Sequence, residues 1–273
     1  MAKQKKKSRH TEKTRSPKKT KQATNAYFQV LEHKLLRAGR EFRVMEAVFS
    51  NPESRNALSL EAARELSSLV KQASTCNALL VRAEGRVFCA GGNIKDHIAM
   101  GKAASLKGNR EIAAACESLS KLPVPTIAIV EGDVLGGGVE FLSCFDIVLA
   151  TPHVMLGFWQ RRLGLVYGWG GGARLERRLG RQAVSRLAIQ ARAMTGREAF
   201  EIGLVDRVVA PWEIREEGLA ELIRVAVLPK KPVSTLKAHS QRSSASPESR
   251  AGFEKLWFGD EHLNRMRAFS PKR

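Results

Sequence analysis

Acidic residues are in short supply in this chain: 27 Asp and Glu stand against 46 Lys and Arg over 273 residues, for a formal charge of +19. Cysteine is scarcer still. Cys76, Cys89, Cys116 and Cys144 are widely spaced, with no CxxC pair and no His/Cys cluster. That spacing argues against a zinc site and against a secreted disulfide framework, so no metal is expected. Buried free thiols in a reducing, cytoplasmic setting are expected instead. No run is long and apolar enough to cross a bilayer, and no membrane partner follows. No internal repeat is visible, and no Ser–His–Asp arrangement has usable spacing, which ranks nucleophilic hydrolysis low.

The positive charge is unevenly spread. Residues 1–22 hold ten Lys or Arg against Glu12 alone, a balance of +9 that leaves +10 on the rest. Between Ala2 and Ala23 there is no apolar residue, which rules out the apolar core of a signal peptide and the pattern of a mitochondrial presequence. Residues 1–26 are therefore expected to form a disordered basic tail, having too little apolar area to offset the entropy of ordering. Such a tail either solubilises the protein or anchors it electrostatically to nucleic acid.

What is present is ample apolar material, 43% of residues, enough for a sizeable core. FQVLEHKLLR and EFRVMEAVFS read as strands joined by a hairpin at Ala38-Gly39. NPES turns the chain, and LSLEAARELSSLVKQA carries apolar residues at helical spacing. NALLVRAEG reads as a short strand. Ile98 to Lys121 reads as one or two helices with a break near Gly108. TIAIV, after Pro123 and Pro125, has the continuous apolar character of a buried strand. DIVLA follows about a dozen residues later, and helix-rich sequence fills the remainder. Strands interleaved with helices predict an α/β protein with a partly parallel sheet.

One junction carries chemistry. Gly136-Gly137-Gly138 link a strand to a helix, where free N–H groups and the helix dipole favour a phosphate or a developing oxyanion. Glu140, three residues past Gly137, shares a helix face with that N–H. A carboxylate repels a phosphate, so the glutamate favours acid/base chemistry beside a polarised carbonyl. The alternative is structural: the glycines permit tight helix–sheet packing and Glu140 caps the helix. A second glycine turn, in RVFCAGGNIKDH, again runs from a strand into a helix, and two such turns can supply two donors to one oxygen.

At these residues the chain resembles the crotonase superfamily, the enoyl-CoA hydratase/isomerase family. The matching segments are NPESRNALS, VFCAGGNIKDH, PVPTIAIVEGDVLGGGVEFLSCFDIVLAT, RLGLVYGWGGGARLERRLG, MTGREAFEIGLVDRVV and an end segment near AFSPKR. Each is weak alone; in family order, from about Phe28 onward, they are specific. The resemblance implies a crotonase-like ββα superhelix over residues 27–210. It also implies a C-terminal helical trimerisation region over 211–273, with assembly as homotrimers or hexamers. It implies an acyl-CoA substrate, with coenzyme A as part of the substrate and no separate cofactor. Gly92 and Gly137 match the oxyanion-hole positions. Arg55, Ala90, Lys95 and Gly136 fall in segments that contact substrate, although Arg55 and Lys95 read equally well as solvated surface charges. Glu140 matches the first of two catalytic glutamates.

The second glutamate is missing. Its position is Gln160, in GFWQRRLG, and the neighbours Trp159, Arg161 and Arg162 offer no acid in its place. An amide holds a water or an acyl group but moves no proton near pH 7. The implied activity is that of an acyl-CoA enzyme working through an enolate, hydratase- or lyase-like with one catalytic glutamate. The alternatives are an enoyl-CoA isomerase or a decarboxylase of malonyl-type thioesters. An alternative of another class is an RNA-binding or non-catalytic descendant, since the chain adds Arg161, Arg162, Arg174, Arg177, Arg178 and Arg181 to its basic tail. His97, a lone histidine after the first glycine turn, reads as structural. Asp146 reads as a cap, and Asp133 as an exposed group at a subunit contact.

Overall fold

Strand alternation builds the first edge of the molecule. β2 (Phe28–Arg37) and β3 (Arg40–Phe49) pair antiparallel from Phe28↔Phe49 to Arg37↔Arg40. They turn Phe28, Val30, Met45, Ala47 and Phe49 into the main core. The computed structural model describes residues 18–24, 27–37, 39–229, 232–234, 236–237 and 257–269. Of the segment expected to be disordered, Lys18–Thr24 form an edge strand, β1, antiparallel to β2. Residues 1–17, Ala38 of the hairpin turn and residues 270–273 of the AFSPKR stretch lie outside the described residues.

The NPES turn is a 3-10 turn, Pro52–Ser54, capped by Asn51. Behind it sits Asn56, fully buried and in the left-handed region at φ 51°. Its Nδ2 donates to the carbonyls of Glu84 (2.8 Å) and Val87 (2.6 Å), and its Oδ1 accepts from the Asn51 N–H at 2.7 Å. One amide thus ties three segments together. Asn56→Ala takes the partner from all three backbone groups, opens a gap at a fully buried position and leaves a residue with no compensating bond at positive φ. We expect a loss of about 3 kcal/mol in urea unfolding, with an unchanged transition slope.

From here the chain repeats one move. A strand enters the large sheet, a second short strand enters a small sheet, and a helix returns. β4 (Ala78–Ala83), β5 (Val87–Cys89) and α2 (Ile94–Ser120) make the first such unit. β6 (Thr126–Val130), β7 (Asp133–Leu135) and α3 (Gly137–Leu142) make the second. β8 (Ile147–Ala150) and β9 (Met155–Gly157) begin a third, which continues through a 3-10 turn, Trp159–Leu163, to α4 (Gly171–Leu179) and α5 (Arg181–Gln190). β10 (Ala193–Thr195), α6 (Gly196–Glu201) and β11 (Arg207–Val208) follow. The large sheet has the order β1-β2-β3-β4-β6-β8-β11, parallel from β3 onward. The small one has the order β10-β9-β7-β5.

Helices cover both faces of the large sheet. α1 (Leu60–Ala73) buries Ala62, Ala63, Leu66, Leu69, Val70 and Ala73, the stripe expected of an amphipathic helix, and Ser59 caps its start. α7 (Ile214–Ala226) packs Ile214, Leu222 and Ala226 against Val44, Leu80, Ile127 and Leu149 on the opposite face. α8 (Asp260–Phe269) is the last element. No helix among the described residues is long and apolar enough to cross a membrane.

Two expectations change here. The break in α2 falls at Gly101 (φ 73°, ψ 171°), a conformation open to glycine, whereas Gly108 is helical and buried. Asp133 is half-buried where exposure was expected: its Oδ1 accepts from the Met155 N–H at 2.8 Å and so joins β7 to β9. Asp146 is the cap expected, accepting from the N–H (2.7 Å) and the hydroxyl (2.8 Å) of Thr126. It also pairs at 2.7 Å with the buried Lys237 of the C-terminal segment.

Candidate active site

β5 and β7 lie side by side in the small sheet, so the two glycine turns that leave them are neighbours by construction. A Cβ placed on Gly138 would lie 2.2 Å from the Cys89 carbonyl oxygen, so only glycine allows α3 to sit this close to β5. The packing role of these glycines is therefore real. Gly91 of the first turn lies against the backbone of Gly137 in the second, its notional Cβ 2.9 Å from the Gly137 nitrogen. Among the described residues, the N–H groups of Gly92 and Gly137 have no acceptor. Two free donors flank one small space.

The indole of Trp169 borders that space. Its six-membered ring approaches a Cβ placed on Gly137 to 2.7 Å, at Cη2 and Cζ3, and one placed on Gly92 to 3.4 Å, at Cζ2. The ring is 4% exposed, and its Nε1 donates to Asn109 Oδ1 at 3.1 Å. The indole thus packs directly against both glycines, where a side chain at either position would stand.

Glu140 lies in the first turn of α3 and is 2% exposed. Its carboxylate reaches across to the loop that starts α4. Oε2 accepts from the N–H groups of Trp169 (2.8 Å) and Gly171 (3.0 Å). Oε1 accepts from the Gly168 N–H at 3.1 Å and has a long contact, 3.5 Å, from Gln160 Nε2. The glutamate therefore does cap a helix, though it caps α4 and not its own. The two oxygens differ. Oε2 is held by two good bonds, while Oε1 has one good bond and one marginal one.

Electrostatics reinforce that division. Burial pushes the Glu140 carboxyl above the usual carboxylate range, opposed by the N–H groups of Trp169, Gly168 and Gly171 and by the charge of Arg174. Arg174, counted in the sequence among a basic surface cluster, is 8% exposed. Its guanidinium donates to the carbonyls of Glu140 (3.1 Å) and Trp169 (2.8 Å) and to Ser143 Oγ (3.0 Å). Other members of that cluster are also engaged internally. Arg161 donates to the Ile189 carbonyl, Arg162 to that of Ala191, and Arg178 to Asp206 and the Gly203 carbonyl.

Gln160 is buried, with its amide donating at 3.0 Å to the Gly136 carbonyl. Gly136 itself, at φ 54° and ψ −119°, shapes the turn and positions Gln160. Glu140, Gln160, Gly92, Gly136 and Gly137 thus form one constellation. Ala90 joins it at the edge, its N–H donating to the Arg55 carbonyl at 3.1 Å. Arg55, after the 3-10 turn, and Lys95, at the start of α2, are exposed and take no part in the buried cluster. Sequence reasoning missed Trp169, Asn109 and Arg174. A tryptophan set between Gly168 and Gly170 is the signal that could have found the first, since a large ring in a glycine loop has to pack somewhere.

Comparison with known proteins places the chain in a family. The family model for enoyl-CoA hydratase/isomerase matches residues 39–255. YngF of Bacillus subtilis, named as an enoyl-CoA hydratase/isomerase, is 32% identical over 193 residues, covering 69% of this chain and 74% of YngF. The enoyl-CoA isomerase/hydratase fer4 of Mycosarcoma maydis is 29% identical over 228 residues, 78% of this chain and 82% of that protein. Among solved structures, an enoyl-CoA hydratase from Bacillus halodurans superposes with a TM-score of 0.75 at 17% identity, over 87% of this chain and 99% of its own. An enoyl-CoA hydratase/isomerase from Pseudoalteromonas atlantica T6c gives 0.72 at 22%, over 87% and 96%. Those two establish the fold, which is the crotonase fold. With the sequence match spanning most of the chain, the protein belongs to the enoyl-CoA hydratase/isomerase family.

Proposed function

We propose that the protein adds water to, or removes it from, a short enoyl-CoA thioester through an enolate, with Glu140 as its one acid/base. The unequal bonding of the Glu140 oxygens carries this reading. Oε2 is the tether, and Oε1, beside the Gln160 amide, is the oxygen with bonding capacity to spare. A water between Oε1 and the amide would give its proton to Oε1 as its oxygen attacks the β carbon. The double bond shifts toward the thioester, whose oxygen becomes an enolate held by the N–H groups of Gly92 and Gly137. Glu140 then returns the proton to the α carbon. Water and enoyl thioester balance the product, so no further cofactor is called for. The raised affinity of the carboxyl for a proton suits a group that must take one up and release it.

Decarboxylation of a malonyl-type thioester is favoured by a different observation. The side chain beside Glu140 is the amide of Gln160, which moves no proton, and loss of CO2 makes the enolate without any base.

A panel of enoyl- and malonyl-type CoA thioesters incubated in D2O separates these readings. Hydroxyacyl product bearing one deuterium, absent in Glu140→Gln, is the expected result. Loss of CO2 with one deuterium retained, undiminished in that variant, would establish the decarboxylase. No turnover and no exchange on any thioester would sink both and turn attention to nucleic-acid binding.

A further inference from the structure

The kink at Gly101 sets a serine against a histidine that lies beside Gly92. His97 and Ser105 are eight residues apart in α2, which in a straight helix would separate them by about 12 Å. Because the helix breaks between them, Ser105 Oγ lies 2.9 Å from His97 Nδ1. From the far end of the chain, Trp257 donates its Nε1–H to the same hydroxyl at 2.7 Å, and its ring meets the imidazole edge-on at 4.8 Å between centroids. The other imidazole nitrogen, Nε2, is buried with no partner among the described residues. It points at Gly92, 3.3 Å from where a Cβ would stand, on the side bordered by Trp169.

We propose that His97 is a third hydrogen-bond donor to the thioester oxygen, held in its Nε2–H form by Ser105 and Trp257. The inference rests on the enolate reading above. The tautomer follows from counting hydrogens. Indole N–H only donates, so Ser105 Oγ accepts from Trp257. The serine hydrogen then needs an acceptor, and among the described residues His97 Nδ1 is the one in reach. A proton on Nδ1 would leave the serine hydrogen without one. The imidazole proton therefore resides on Nε2, where a buried donor stays unpaired until an acceptor arrives. The residue stays neutral in the working range, since burial, with His262 nearby, pushes its pKa down to about 4. A neutral donor polarises the thioester without giving up its proton. His97 would touch the reacting oxygen; Ser105 and Trp257 are positioning residues. The structural reading of His97 drawn from sequence is thus incomplete.

An aryl-conjugated enoyl-CoA, whose absorption moves to the red as its carbonyl is polarised, tests the idea directly. Wild type and His97→Gln, which keeps a side-chain N–H, should both show the red shift. His97→Phe should show less of it, with kcat down on the order of 100-fold and KM little changed. Ser105→Ala, which frees the tautomer, should fall between. Should His97→Phe fold poorly, 15N NMR of the wild-type protein decides alone. His97 should hold its proton on Nε2 between pH 6 and 8, and that proton should move downfield with the thioester but not with a thioether analogue lacking the carbonyl. A proton on Nδ1, or a full red shift in His97→Phe, overturns the proposal. Absence of any red shift in bound wild type would instead overturn the Gly92/Gly137 reading beneath it.

Discussion

Glu140→Gln should slow enoyl-thioester turnover by about 10³-fold, within the range ascribed to a positioned acid/base. The substitution preserves shape but not bonding. The amide oxygen can keep the pair of N–H groups from Trp169 and Gly171, which leaves the amide nitrogen facing the Gly168 N–H, donor against donor. We expect about 1–2 kcal/mol of lost stability from that orphaned contact. The pH dependence gives a second signature. Because burial raises the Glu140 carboxyl above its ordinary range, the folded protein holds a proton there at pH values where the unfolded chain has released it. Stability contributed at this site therefore falls as pH rises, from the ordinary carboxylate range up to the raised value. Glutamine removes that slope. Urea unfolding of both proteins across that window measures it. In wild type the acid limb of kcat/KM should lie above the ordinary carboxylate range for the same reason, and a limb within it would count against Glu140 as the base.

The second large effect comes from one added methyl group. In Gly171→Ala the new Cβ would stand 2.3 Å from Glu140 Cγ, 2.4 Å from its Cβ and 2.7 Å from its Cα. The last of these is backbone, so no rotamer of Glu140 resolves the clash. α4 would have to back away from α3, breaking the bonds from Gly171 and Trp169 to the carboxylate. About 3 kcal/mol of stability should be lost, and activity should fall nearly as far as in Glu140→Gln. Gly108→Ala is the matching control. There the nearest atom to a new Cβ is the Met100 methyl carbon at 3.9 Å, and the backbone is helical. The same change should stabilise α2 by about 0.5–1 kcal/mol. Thermal unfolding of the pair tests whether close approach, and not glycine content as such, governs the loop. Equal effects at both positions would argue against it.

The large sheet was legible in the sequence because its strands announce themselves. TIAIV and DIVLA are apolar after their first residues, Thr126 and Asp146, and the FQVLEHKLLR pair alternates, so burial follows from pattern. The short strands β9 and β10, three residues each, carry no period long enough to read. The site divides in the same way. Glu140 and the glycine turn before it are neighbours along the chain, and both glycine turns stand out by residue type. Gln160 was found only through the resemblance, as the place where an acid is missing. Trp169, Asn109 and Arg174 escaped because their roles arise from contacts across 31 to 60 positions, which no local pattern encodes. Arg174 was misplaced for a related reason: charge predicts exposure unless carbonyls converge on it, and convergence is a property of the fold. The α2 break was assigned to the wrong glycine, since a helix interior tolerates Gly108 and nothing local distinguishes it from Gly101.

The bond from Trp257 to Ser105 spans 152 positions. That span sets an order on how the protein comes into being at the ribosome. The sheets, both glycine turns and Glu140 with its loop are all made before Trp257 is added. At about 5–20 residues per second, the serine waits roughly 10–30 s for its indole partner. During that interval the His97 proton is still free to sit on either nitrogen. On the proposal that His97 donates to the thioester oxygen, fixing that donor is a late event in synthesis, completed by a residue made well after the rest of the proposed site.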